Sequence, residues 1–179
     1  FRATKDVSIK EDLVEEVARL YGYDNIEPKP LAFDTVPQEL IKSIEYEYET
    51  KLFLAQKYGA NEIHSYLWNY DEFNKQHKIN TKSYLSLLDS SNAGQSGIRS
   101  EMLPTLLRCL DENKNNYSDV RVFEIGRVVT GLDENNFAIE KKNLAVLFAS
   151  QKKSEQELFF EMKKMIVDVA KNIMGIDVD

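Results

Sequence analysis

Two apolar runs, Val120–Val129 and Leu144–Ala149, are separated by a turn-rich stretch around Gly131–Asn136. Valine, isoleucine and phenylalanine at this density read as strands, and the short join predicts a hairpin. Helical patterns flank it. Leu103, Leu106, Leu107 and Leu110 recur at helical spacing before it, with Pro104 tolerated in the first turn. After it, from Ser154 to Met174, Leu158, Met162, Met165, Ile166, Val169 and Ile173 form an amphipathic helix whose methionines are explained by core packing. Helices mixed with hairpin-joined strands predict an α+β domain on a largely antiparallel sheet.

Upstream, Ser8-Ile9-Lys10-Glu11 has the form of a capping box, followed by Leu13, Val14, Val17, Ala18 and Tyr21 at helical spacing and a stop at Gly22. Pro28 and Pro30 mark an extended connector. A second helix is predicted from near Pro37 to Gly59, about six turns, with Leu40, Ile41, Ile44, Tyr48, Leu52 and Ala55 as its apolar stripe. Ile63–Trp68 and Tyr84–Leu88 read as strands, Tyr70–Lys78 as a short helix, and Asp89–Gly97 as a loop. There is no internal repeat. The first and last residues read as the cut ends of a piece excised from something longer, with no targeting peptide at Phe1.

Charge and composition exclude several function classes. No run of eighteen apolar residues is available to span a membrane. A single cysteine excludes an internal disulfide and a cysteine cluster for zinc, which fits a reducing, cytoplasmic compartment. The net charge of −7 lacks the basic stripe that nucleic-acid phosphates require.

Asp12, Glu15 and Glu16, at i, i+3 and i+4, place three carboxylates on one helix face, and Asp6 lies just upstream. Hard oxygen ligands of this kind suit Mg²⁺ or Ca²⁺. The same spacing also describes a solvated acidic face favoured by the helix dipole, and both readings stand. Arg121, Glu124 and Arg127 in an otherwise apolar strand either face a ligand cleft or form ion pairs across the sheet, with pairing the stronger reading; Gly126 marks a bulge or a close approach. Asn92–Gly97 lacks the residues of a phosphate-binding loop and reads as a connector. His64 and His77 lack metal-site spacing, Cys109 sits in a leucine stripe as a core residue, and Ser65 and Ser96 have no evident base beside them.

Three blocks carry a resemblance. Asp12-Leu13-Val14-Glu15-Glu16-Val17-Ala18-Arg19-Leu20-Tyr21-Gly22-Tyr23-Asp24-Asn25-Ile26 is similar to the segment that closes the B5 domain of the β subunit of bacterial phenylalanine–tRNA ligase. Gly97-Ile98-Arg99-Ser100-Glu101-Met102-Leu103-Pro104-Thr105-Leu106-Leu107, with Asn113 following, resembles that family's Arg-x-x-Leu-Leu-Pro helix entry. Val122-Phe123-Glu124-Ile125-Gly126-Arg127-Val128-Val129 is like its core strand.

The resemblance implies a class II aminoacyl-tRNA synthetase-like antiparallel sheet flanked by helices. Residues 1–30 would be the end of B5 plus a linker, and residues 31–179 a catalytically inactive synthetase-like core. It further implies a phenylalanine–tRNA ligase in which an α subunit, in an α₂β₂ assembly, activates phenylalanine with ATP and transfers it to tRNA. The β segment would be structural and inactive alone, meeting tRNA only through the holoenzyme. A Mg²⁺ shared with the α subunit would be held here by Asp6, Asp12, Glu15 and Glu16. The Pro37–Tyr58 helix would form the main subunit contact, with Tyr46 and Tyr48 either at the interface or packed internally. The sequence agrees with an inactive segment: only Arg2, Arg19, Arg99, Arg108, Arg121 and Arg127 are present, and no Phe-Arg-x-Glu segment exists to bind ATP. Two alternatives remain, a stand-alone nucleic-acid-binding module and a class II-like domain that activates an amino acid itself.

Overall fold

The computed structural model describes residues 7–83, 85–87 and 97–177. The chain divides after Glu39 into two compact units. The first contains helix α1 (Lys10–Tyr21), a single 3₁₀ turn at Tyr23–Asn25 and an extended proline-containing segment. The second contains α2 (Lys42–Tyr58), β1 (Asn61–Glu62), α3 (Asp71–Gln76), α4 (Leu103–Asn113), β2 (Asp119–Leu132), β3 (Ala138–Ser150) and α5 (Glu155–Met174).

β2 and β3 form the predicted hairpin, in antiparallel register from Asp119↔Ser150 to Leu132↔Ala138, with an irregularity between Val129 and Gly131. Asp133 closes the turn by accepting the amides of Asn135 and Phe137. Successive side chains alternate between the two faces of the sheet, so the hairpin builds two cores. Phe123, with Val146 and Phe148 beside it, packs against Leu54 and Tyr58 of α2 and Met165 and Val169 of α5. Val120, Val122, Val128 and Leu147 pack on the other face against Met102 and Leu106 at the start of α4. The predicted Ser154 start of the last helix is confirmed, since the Ser154 hydroxyl accepts the Glu157 amide while Glu157 reaches back to the Ser154 amide.

The sheet departs from the antiparallel expectation at its first strand. β1 runs parallel to β2, with Asn61↔Val122 and Glu62↔Phe123, and gives a mixed three-stranded sheet in the order β1-β2-β3. It is also far shorter than the predicted Ile63–Trp68 strand, because another segment takes the edge of β2 beyond Phe123. Arg99 accepts the Val129 amide through its carbonyl and donates its own amide to Leu67. Residues 67–69 therefore pair with 97–99, through the Arg99 amide to Leu67, the Asn69 amide to Gly97 and the Trp68↔Ile98 bridge, instead of with β2. The expected Tyr84–Leu88 strand is a single bridge, Ser86↔Gly97; Tyr84, Leu88 and most of the Asp89–Gly97 loop lie outside the described residues.

Two helix starts also differ. α2 begins at Lys42, five residues after Pro37. Its first buried residue is Thr50, so the preceding stretch has no packing to offset the cost of ordering a turn. At α1 the reaching carboxylate is Asp12, not Glu11: its Oδ2 accepts the amides of Ser8 at 2.7 Å and Ile9 at 3.0 Å.

Candidate functional site

α2 carries two stripes. Thr50, Leu54 and Tyr58 face the sheet and are buried. Ile41, Ile44, Tyr48 and Leu52, at steps of three and four residues, are 68%, 47%, 64% and 39% exposed. Leu40 precedes them at 70%. The stripe singled out in the sequence is therefore the outer one, and the core face was overlooked because its buried members include Thr50 and the hydroxyl-bearing Tyr58. Both ends of the helix are anchored. Tyr58 donates its hydroxyl to Asp168 Oδ2 of α5 at 2.6 Å, and Lys57 and Lys164 reach the same oxygen at 2.7 and 2.8 Å. Lys164, Lys57 and Tyr58 together hold the Asp168 carboxyl well below the usual carboxylate range. Burial, with the Asp168 contact, pushes the Tyr58 phenol up. At the other end Glu47 joins Lys51 and Lys142 of β3. α2 is thus fixed on the sheet with an apolar side turned outward, a geometry suited to a packing partner.

On the α4 face of the sheet lies a buried ionic network. Arg99 is 2% exposed and Glu124 3%. Arg99 donates from Nη2 to Glu124 Oε1 at 2.9 Å, from Nη1 to Ser65 Oγ at 2.7 Å and from Nε to the Arg127 carbonyl at 3.0 Å. Ser65 in turn donates to Glu124 Oε2 at 2.6 Å. Gly126 makes room for this: a Cβ there would stand 2.4 Å from Arg99 Nη2. Every nitrogen of the guanidinium is engaged by the chain itself, so the group acts as a stitch among three segments.

In α1, Asp12 is committed to its own helix end; the Ser8 and Ile9 amides hold its carboxyl below the usual range. Glu16 pairs with Arg19 at 2.5 Å, and Glu15 is exposed. Asp6 lies outside the described residues. Among the described residues no group of three or more His, Cys, Asp or Glu side chains converges as a metal site. The apolar side of this helix, Leu13, Val14, Val17 and Leu20, is exposed.

The phenylalanyl tRNA synthetase beta chain CLM domain matches residues 26–178. The chain belongs to that beta-chain family. Phenylalanine–tRNA ligase beta subunits of Leptospira interrogans serovar copenhageni, Staphylococcus haemolyticus and Solibacter usitatus are 32%, 31% and 30% identical over 97%, 94% and 92% of the chain. The chain spans 21–22% of the length of these relatives. Two structures of pyrrolysyl-tRNA synthetase from Desulfitobacterium hafniense share the fold at TM-scores of 0.54 and 0.58, with 16% and 17% identity, over 71% and 75% of this chain and 46% and 45% of theirs. The fold is thus the α+β fold of class II synthetases, here with a small mixed sheet.

The three blocks that carry the resemblance to the beta-chain family fall on α1 and its exit, on the entry to α4, and on β2. Arg121, Glu124 and Arg127, the charges embedded in β2, form ion pairs, each with a partner the local sequence does not name. Glu124 meets Arg99, Arg121 meets Glu161 of α5 at 2.6 Å, and Arg127 meets Glu140 across the hairpin at 2.9 Å. Ser65 does have a carboxylate beside it, contrary to the sequence reading, but Arg99 holds that carboxylate as an ion pair, so it is no free base. Ser96 lies outside the described residues. His64 is exposed near Glu62, and His77 stacks on Phe73 at 4.3 Å. Cys109 is half-buried, and burial pushes its thiol up. Sequence reasoning missed the Arg99–Ser65–Glu124 network. Its one available signal was a glutamate in the middle of an apolar strand.

Proposed function

We propose that this chain is the noncatalytic, synthetase-like part of a phenylalanine–tRNA ligase beta subunit, and that it buttresses the catalytic alpha subunit in an α₂β₂ assembly through the outer face of α2. The observation that carries this reading is the exposed Ile41, Ile44, Tyr48 and Leu52 stripe on a helix whose opposite face is already packed. An exposed apolar stripe on an anchored helix favours burial against another chain. In that assembly the alpha subunit activates phenylalanine with ATP and charges tRNA, in the cytoplasm. No helix among the described residues is long and apolar enough to cross a membrane. Residues 1–30 act as the end of a preceding B5 domain, which would cover the apolar side of α1.

The deciding experiment is co-purification of the full-length subunit with its cognate alpha subunit, comparing wild type with Leu40→Asp and Ile44→Asp. Each charge placed on the outer stripe is expected to abolish or sharply weaken the complex while far-UV circular dichroism stays unchanged. A complex of undiminished strength would refute the interface. Pyrophosphate exchange with ATP, Mg²⁺ and phenylalanine separates this reading from that of an amino-acid-activating domain, and no turnover is expected from the chain alone. The engaged state of Arg99, Arg121 and Arg127 supports that expectation.

The carboxylates Asp6, Asp12, Glu15 and Glu16 are proposed as this chain's contribution to a shared Mg²⁺. Their hard oxygens suit the ion. Among the described residues Asp12, Glu15 and Glu16 do not enclose one, since Asp12 caps its helix and Glu16 pairs with Arg19. The remaining ligands are therefore assigned to the partner subunit. Calorimetric titration of Mg²⁺ into the assembled complex is expected to lose a binding event in an Asp12→Asn, Glu15→Gln double variant; an unchanged isotherm would remove these residues from the site.

A further inference from the structure

The two borders of the outer α2 stripe differ in their chemistry. Along one border Lys51 is already engaged: its Nζ lies 3.0 Å from Glu47 and 2.8 Å from Glu62, and Glu47 also meets Lys142. Along the other border stand Glu45 and Glu49, each three residues before a member of the stripe, Tyr48 and Leu52. Both are exposed, and neither forms an ion pair among the described residues; Lys42, on the same border, pairs with neither. Like charges four residues apart on one helix face repel and weaken the helix. The helix dipole does not explain the pair, because it acts within the first turn and Glu49 is the eighth residue of α2. Elsewhere on the helices of the second unit the same spacing joins opposite charges, as in Glu47 with Lys51, Arg108 with Glu112 and Lys164 with Asp168. Glu157 and Glu161 on α5 are alike in sign, but the Ser154 amide engages the first, and Arg121 and Lys153 the second. The Glu45 and Glu49 repulsion has no such compensation among the described residues.

A second copy of the chain does not supply the missing cation. Two identical helices that pack on this stripe are related by a two-fold axis. If they run antiparallel and are centred on Tyr48, the middle of the Ile41–Ala55 stripe, like borders meet, and Glu49 of one copy stands beside Glu45 and Glu49 of the other. Lys42 then falls level with Leu54 of the other copy, five residues or about 7.5 Å of helix rise from Glu49. If they run parallel, opposite borders meet, and Glu45 and Glu49 confront Glu47 and the already engaged Lys51. The net charge of −7 on each copy adds to the repulsion. A partner of different sequence, with Lys or Arg along the border it presents, satisfies the apolar stripe and its acidic edge together. Charges that flank an apolar seam are how paired helices choose their partners.

We propose that Glu45 and Glu49 select the partner of the α2 face: they pair with lysine or arginine on the alpha subunit and turn away a second copy of this chain. The proposal rests on the reading of α2 as the contact with the alpha subunit, and the test separates the two. The full-length subunit is prepared as wild type, as the Glu45→Gln, Glu49→Gln pair, as the Glu45→Lys, Glu49→Lys pair and as Ile44→Asp. Its affinity for the alpha subunit is measured at about 0.05 M and about 0.5 M salt, on either side of the range where exposed charges become screened. The glutamine pair is expected to bind about three- to tenfold more weakly than wild type at the lower salt and within about twofold of it at the higher. The lysine pair is expected to bind more weakly still at the lower salt. In sedimentation velocity of the subunit alone, the glutamine pair is expected to self-associate more strongly than wild type, and Ile44→Asp added to it to reverse the gain. If Ile44→Asp leaves the complex with the alpha subunit intact, the α2 interface fails and this proposal fails with it. If Ile44→Asp breaks the complex while the glutamine and lysine pairs bind like wild type at the lower salt, or the lysine pair binds more tightly, the interface holds and the charge selection is overturned. Self-association of the glutamine pair no greater than that of wild type would overturn the rejection of a second copy.

Discussion

Replacing Arg99 with methionine tests the buried network most directly. The side chain keeps its length and apolar stem, but three donors disappear at once: the two to Glu124 and Ser65, and the one to the Arg127 carbonyl. Glu124 then remains 3% exposed with Ser65 as the one neighbour still donating to it among the bonds described. Removing one partner of a buried ion pair costs about 3–5 kcal/mol, chiefly because the other charge stays desolvated without compensation. For a chain of this size that corresponds to a fall in melting temperature of roughly 6–20 °C. The double variant Arg99→Met, Glu124→Leu removes the stranded charge as well, and is expected to recover most of the loss, with Ser65 left short of a partner at a cost of about 1 kcal/mol. Urea unfolding followed by tryptophan fluorescence gives a local reading, since Trp68, the single tryptophan, bridges Ile98 next to Arg99. Circular dichroism gives the helical reading in parallel. If Arg99→Met shifts stability by less than about 1 kcal/mol, or if the double variant is as unstable as the sum of the two singles, the two groups are not energetically coupled and the stitching role assigned to them fails.

Two further perturbations follow from neighbouring contacts. Gly126→Ala would set a methyl 2.4 Å from Arg99 Nη2 and 3.0 Å from Glu124 Oε1, and because that guanidinium is tied at each nitrogen it cannot swing aside cheaply; a loss of about 1–3 kcal/mol is expected in urea, shrinking when the same change is made beside Arg99→Met. Asp168 titrates lower in the folded chain than its ordinary 3.8, through Lys164, Lys57 and Tyr58. Its contribution is therefore fully present above that value and is lost as pH falls below it, where the unfolded chain takes up a proton that the folded one refuses. Urea midpoints measured from about pH 6 down to pH 3 are expected to decline less steeply in Asp168→Asn than in wild type, and parallel curves would count against the assignment.

What was legible in the sequence, and what was not, has a physical pattern. The hairpin, α4 and α5 were readable because local periodicity and local caps determine them: Pro104 in a first turn, Ser154 with Glu157, and two apolar runs across a turn. β1 was misread because its length depends on residues more than thirty positions away, where Arg99 takes the edge that Ile63–Trp68 would have used. No property of the Ile63–Trp68 stretch itself announces that competition. The network fails to show for the same reason, since Ser65, Arg99 and Glu124 are each ordinary in their own neighbourhoods. The acidic spacing in α1 was read correctly as a pattern, yet the use of Asp12 as a helix cap depends on where the helix begins, and a shift of one residue from Glu11 decides it.

α2 shows how such a misreading can still point toward function. A helix packed on one side normally shows one apolar stripe, and the sequence was read on that premise. Here the inner face holds through mixed chemistry: Leu54 for burial, Thr50 small enough for close packing, and Tyr58 with a hydroxyl that ends on Asp168. Because the core contact uses few large aliphatic residues, the outer stripe of Leu40, Ile41, Ile44, Tyr48 and Leu52 dominates the pattern. An apolar stripe that the chain's own core does not bury raises the cost of standing alone in water, and a partner surface is the ordinary physical reason for a protein to keep one. The side of α2 most conspicuous in the sequence is thus the side the isolated chain leaves uncovered, and that mismatch is what directs the interface experiment to Leu40 and Ile44 rather than to Leu54.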